Sequence, residues 1–233
     1  MQTILRLNTV LAALLVMVMV AGCSRNAKPS PSPSISDIVI PKPSVSSTLA
    51  IGDGGLLSGE PCSPPCFLGI EPGKTAETEV PMLLTQAGLS DACEYRHYFD
   101  KITDNWIHGW YCQQIIDIEI SQDGIVNSIR FELPSPVPLQ SIIARYGQPD
   151  AIMVLNSGLP DYPALQADIW YERLRMLLFP KGEQRSFTYS IQPTTLIHII
   201  RYESPDSLQD YLAYFADKSQ PWRGYGAYGV PMP

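Results

Sequence analysis

Positive charge is scarce in this chain. Sixteen Lys and Arg stand against 23 Asp and Glu over 233 residues, and there are only three His. A basic footprint for nucleic-acid phosphates is therefore missing, and the same deficit argues against lying flat on anionic lipid. No Gly-rich phosphate loop, Gly-x-Ser-x-Gly elbow or His-Glu-x-x-His helix occurs, so three common reaction chemistries have no motif here. After residue 22 no uncharged apolar run approaches the ~20 residues that a membrane span needs. These absences lead to the expectation of a protein that is not an enzyme and needs no cofactor, metal or nucleic acid.

What is present begins at the N-terminus. Arg6 supplies a positive start, Val10 to Val20 is an uncharged apolar run, and small residues lead into a cysteine at Val20-Ala21-Gly22-Cys23. Val10 to Gly22 amounts to 13 residues, which is too short to span a bilayer but suits the core of a secretory signal. The last four residues resemble the bacterial lipobox. That resemblance implies cleavage of residues 1–22, acylation (palmitate among the acyl groups) at Cys23, and a lipid-anchored protein on the extracytoplasmic side of a cell or outer membrane. Two or more acyl chains anchor durably where one does not. The remaining chain carries 15 basic and 23 acidic residues, a net charge of −8, and is expected to stand off the membrane.

Four cysteines follow: Cys62, Cys66, Cys93 and Cys112. An even number in an exported chain reads as two disulfides with three possible connectivities. Cys62–Cys66 and Cys93–Cys112 are preferred, because each closes a local loop. An alternative is a zinc site of Cys93, His97, His108 and Cys112. A hairpin centred between Ile102 and Thr103 would bring all four to one face. The turn chemistry of Thr103-Asp104-Asn105 favours a shifted register that separates them.

Residues 23–60 read as a Pro/Ser-rich disordered linker, with Lys28-Pro29-Ser30-Pro31-Ser32-Pro33-Ser34 as its clearest stretch. A first α/β repeat is expected over 61–136, a second with a closing helix over 137–220, and a Gly/aromatic tail over 221–233. The repeat shows as Val80, Leu83, Leu84, Ala87 and Gly88 recurring 59 residues later as Leu139, Ile142, Ile143, Tyr146 and Gly147. Each set is a helical stripe ending in a C′ glycine. Ile116, Ile118 and Ile120, then Asp123-Gly124, then Ile129, Phe131 and Leu133 predict a tight hairpin with Asp117 opposite Arg130. Ser204-Pro205-Asp206 opens the closing helix. The fold class expected is α+β, as tandem helix-plus-antiparallel-sheet repeats with a C-terminal helix.

Gly69-Ile70-Glu71-Pro72-Gly73-Lys74-Thr75, with Val80 and Leu83-Leu84, resembles the opening of small outer-membrane assembly lipoproteins of the BamE/SmpA family. Ile142-Ile143-Ala144-Arg145-Tyr146-Gly147-Gln148-Pro149-Asp150 looks like the helix-to-strand step of the same group. Two such units in tandem look like the β-lactamase-inhibitor-protein fold. The resemblance implies a scaffold or protein binder.

Candidate binding residues lie in the tail, where Trp222, Tyr225 and Tyr228 recur every third residue between glycines. They read either as a lid folded onto the sheet or as an exposed aromatic strip. His198, between Ile197 and Ile199, reads as a core or interface histidine, and Asp117 with Glu119 as a solvated face. The expectation is a membrane-anchored, non-catalytic module that binds an envelope protein. The alternatives are a cell-wall glycan or small-ligand binder and the zinc-dependent protein of Cys93, His97, His108 and Cys112.

Overall fold

Apolar alternation through the chain builds strands before anything else. The structure is a computed structural model that describes residues 52–100, 105–157 and 164–230. The signal segment, Cys23 and residues 24–51 of the expected linker lie outside the described residues, whereas residues 52–60 of it are packed, with Leu56 fully buried in the core. No helix among the described residues is long and apolar enough to cross a membrane.

Eleven strands are described: β1 (Cys93–Asp100), β2 (Asn105–Cys112), β3 (Ile116–Ile120), β4 (Val126–Pro138), β5 (Ala151–Asn156), β6 (Leu165–Tyr171), β7 (Met176–Pro180), β8 (Thr188–Ile191), β9 (Leu196–Glu203), β10 (Ser219–Pro221) and β11 (Gly226–Gly229). Nine of them form one antiparallel sheet in the order β1-β2-β3-β4-β9-β7-β6-β5-β10, and β11 pairs with β8. The β3–β4 register sets Ile116 opposite Phe131, Asp117 opposite Arg130 and Ile118 opposite Ile129, as alternation and the Asp-Gly turn require.

Helix is sparse. α1 (Val80–Gln86), α2 (Leu139–Tyr146) and α3 (Pro205–Tyr214) have 7, 8 and 10 residues. Their stops are local. Pro81 sits in the first turn of α1, where its missing N–H costs nothing. Gly147, at φ +84°, ends α2 with its N–H on the Ile143 carbonyl. Ser204 caps α3 by accepting from the Ser207 N–H at 3.1 Å.

The expected α+β class, tandem helix-plus-sheet repeats, is therefore corrected: the described residues are mostly antiparallel β-sheet with three short α-helices. The cause is long-range pairing. β4 runs for 13 residues and pairs with β9 from Ser128↔Glu203 to Pro138↔Leu196, so one continuous sheet organises the chain. Helix periodicity was present over only two turns at each site, too little to set the class.

The sheet has two unlike faces. One carries Ile116, Ile118, Ile129, Phe131, Ile200 and Tyr202 and packs against Val80 and Leu84 of α1 and Leu139 and Ile142 of α2. Phe67 stacks on Phe131 with ring centroids 4.1 Å apart. On the other face α3 covers Met153, Trp170 and Leu177 with Leu208, Tyr211 and Phe215. The Gly69–Thr75 segment is clamped from β7's side: Arg175 donates to the Glu71 carboxylate and the Pro72 carbonyl, both at 2.8 Å.

Candidate functional site

The β1–β2 hairpin is where apolar side chains leave the core and enter water. Its register pairs Cys93 with Cys112, Tyr95 with Trp110, His97 with His108, and Phe99 with Trp106. Side chains two apart on a strand share a face, so these eight form one ladder. Trp110 pairs onward with Ile118 and Cys112 with Ile116, which makes the ladder an extension of the core face.

The rungs touch edge to face. Ring centroids are 5.3 Å apart for Tyr95–Trp110, 5.1 Å for His97–His108 and 5.4 Å for Phe99–Trp106. Diagonal contacts at 5.6 Å (His97–Trp106) and 6.2 Å (Tyr95–His108) tie one rung to the next. The ladder is buried at its base and exposed beyond it. Cys112 is fully buried, whereas Tyr95 is 45%, Phe99 42% and Trp106 60% exposed.

Three features hold the hairpin in place. The Cys93–Cys112 disulfide ties its base. The Tyr95 hydroxyl donates to the Glu77 carboxylate at 2.6 Å, and burial of the phenol together with that carboxylate pushes Tyr95 up to about 12. Gly109 lets β2 approach β3, since a Cβ there would lie 1.9 Å from the Ile118 carbonyl oxygen. The reverse face of β1 carries an ion pair between Arg96 and Glu94, with the Arg96 guanidinium 5.4 Å from the Tyr111 ring centre.

The preferred disulfides, Cys62–Cys66 and Cys93–Cys112, are both formed. The hairpin register is the one that juxtaposes Cys93, His97, His108 and Cys112, but the sulfurs are consumed in the disulfide. Only two imidazoles remain of that zinc set, and among the described residues no group of three or more His, Cys, Asp and Glu is placed to hold a metal. The ladder supplies flat, uncharged contact surface.

The tail residues lie elsewhere. Tyr228 is buried; its hydroxyl donates to the Gly224 carbonyl at 2.6 Å and accepts from the Arg223 N–H at 2.9 Å. Trp222 stacks on Tyr228 at 5.9 Å and donates to the Gln148 side chain at 2.6 Å. Tyr225 is 42% exposed and contacts Trp222 edge on. Of these three candidates, only Tyr225 offers much surface.

A groove of about 820 Å³ runs between α3 and the sheet face opposite the core, with Ile107 and Tyr214 on its walls and Glu119 and Arg201 in its floor. The floor is internally paired. Arg201 meets Glu203 at 2.6 Å and Glu119 at 3.4 Å, Ser128 donates to Glu119 at 2.8 Å, and Ser207 donates to Glu203 at 2.7 Å. Burial raises the Glu203 carboxyl against the opposing pull of Arg201. Nearby, burial pushes Asp168 up to about 6 although Tyr211 donates to it at 2.6 Å. Asp117 binds Arg130 at 3.0 Å, and His198 Nδ1 lies 3.0 Å from the Phe179 carbonyl. Arg201 Nε and Glu203 Oε1 are close enough for an ion pair but are not aligned as a hydrogen bond.

Sequence reasoning missed Tyr95, Phe99, Trp106 and Trp110 as a unit. The signal was available, because the alternation that aligned the cysteines and histidines applies equally to the residues between them. The chain matches no family model, no curated protein and no solved structure with which it was compared.

Proposed function

We propose that this chain is a lipid-anchored protein of the cell envelope that binds a protein partner, without catalysis, through the aromatic face of the β1–β2 hairpin. The observation that carries the reading is the ladder itself: Tyr95, Phe99 and Trp106 are large, contiguous and exposed on a hairpin fixed by a disulfide. Folding alone gives no return for leaving such area in water, and patches of this kind mark interaction sites. Trp and Tyr anchors dominate interface energetics, and a rigid hairpin spares the ordering cost of binding. The lipobox-like Val20-Ala21-Gly22-Cys23 and the resemblance to small outer-membrane assembly lipoproteins support the envelope location and the adaptor role.

Two experiments test it. Palmitate incorporation by the full chain is expected, and is lost in Cys23→Ser. Full chain immobilised by its C-terminus is expected to retain a partner from detergent-solubilised envelopes, with affinity falling about 30-fold in Trp106→Ala, the effect of losing ~2 kcal/mol at a hot spot. Phe187→Ala, at a 75% exposed aromatic outside the ladder, leaves affinity unchanged. Equal retention by all three, or retention of glycan fragments alone, contradicts the reading.

A further inference from the structure

The two ends of the nine-stranded sheet are unlike. One end is β10, three residues long and carrying Pro221, a strand that is short and proline-blunted as protected edges usually are. The other is β1, eight residues from Cys93 to Asp100 with no proline. No strand among the described residues pairs with its outer side.

The register fixes what that side presents. Cys93 and Cys112 have Cα atoms 3.9 Å apart, the close spacing of a non-hydrogen-bonded antiparallel pair. Residues of β1 in such pairs turn their N–H and C=O groups away from β2. By alternation Cys93, Tyr95 and His97 therefore point their backbone groups outward. Glu94 and Arg96 lie between them, on the face opposite the ladder.

We infer that β1 is a self-pairing edge, on which a second copy of this chain docks antiparallel about a two-fold axis through Tyr95. The sequence is complementary to itself in that register and not in its neighbours. Tyr95 meets Tyr95 of the second copy, Cys93 meets its His97, and roughly six backbone hydrogen bonds form between the outward groups. Glu94 then stands opposite Arg96 of the second copy and Arg96 opposite its Glu94, in the non-hydrogen-bonded pairs where side chains approach most closely. Moving the axis to Arg96 sets two guanidiniums against each other. Closed two-fold pairing also removes the open edge. The two ladders become one aromatic face across four strands. This inference does not depend on what that face binds.

The test is charge reversal and rescue, read as oligomeric state. Full chain in detergent is expected to sediment as a dimer that dissociates on dilution. Glu94→Arg and Arg96→Glu each place like charges in both cross-strand pairs and weaken the dimer at least about tenfold. The double variant Glu94→Arg/Arg96→Glu restores it. Independently, Tyr95→Cys is expected to yield a disulfide-linked dimer on mild oxidation, whereas Tyr225→Cys does not. A wild-type monomer at all accessible concentrations, failure of the double variant to recover pairing, or absence of the Tyr95→Cys cross-link overturns the inference.

Discussion

Asp168→Asn isolates one electrostatic consequence of the sheet-and-helix sandwich. Asp168 lies under α3 at 8% exposure; burial lifts its carboxyl to about 6 from 3.8, with the Tyr211 hydroxyl and the Arg201 charge pulling the other way. The folded chain therefore keeps this proton over a pH range in which the unfolded chain has released it. Stability is greatest with Asp168 protonated, below about pH 4, and is lost as pH rises through about 6. A difference of this size corresponds to about 3 kcal/mol. Asn carries no such proton, and its carbonyl can still accept from Tyr211. The stability of the variant relative to wild type should thus rise by about 2–3 kcal/mol from about pH 4 to pH 7, while the titrations of groups that share no partner with Asp168 cancel in the difference. Urea unfolding followed by tryptophan fluorescence reads it directly, since Trp170 contacts Tyr211 with ring centroids 6.2 Å apart. A difference constant across that range, or one that falls with pH, refutes the argument.

Other perturbations separate packed residues from exposed ones. Tyr228→Ala should cost about 3–5 kcal/mol in urea unfolding, because it empties a buried ring site, whereas Tyr225→Ala stays within about 0.5 kcal/mol. Gly109→Ala drives a Cβ into the Ile118 carbonyl and should cost at least about 1–3 kcal/mol, with loss of amide-exchange protection in β2 and β3. Replacing Cys93 and Cys112 together by Ala should remove about 3 kcal/mol, the chain-entropy value for a loop of this length, and should weaken binding by loosening the ladder.

What was legible in the sequence is what local chemistry dictates. Asp123-Gly124 with flanking alternation gave the β3–β4 register, including Asp117 opposite Arg130. Ser204-Pro205 gave the start of α3, and short cysteine spacings gave both disulfides. The class was misjudged where pairing is non-local: β4 finds β9 across some 70 residues, and neither strand names its partner. Turn propensity at Thr103-Asp104-Asn105 favours a shifted hairpin register, but the edge-to-face rungs of the ladder and the disulfide outweigh that preference. The tail's threefold aromatic spacing fits both a lid and an exposed strip, and pairing of β11 with β8 decides for the lid at Tyr228, which it turns inward. An aromatic count cannot distinguish a ring that seals a core from one that awaits a partner; burial decides.

Site-specific photo-crosslinking in living cells reports which face of the protein meets a partner. A photoreactive phenylalanine derivative is placed at Trp106 in the full chain within living cells, and separately at Phe187, which is no less exposed. A discrete envelope-protein adduct is expected from position 106 and none from 187. Adducts of equal yield from both positions, or none from 106, contradict a binding face on the β1–β2 hairpin.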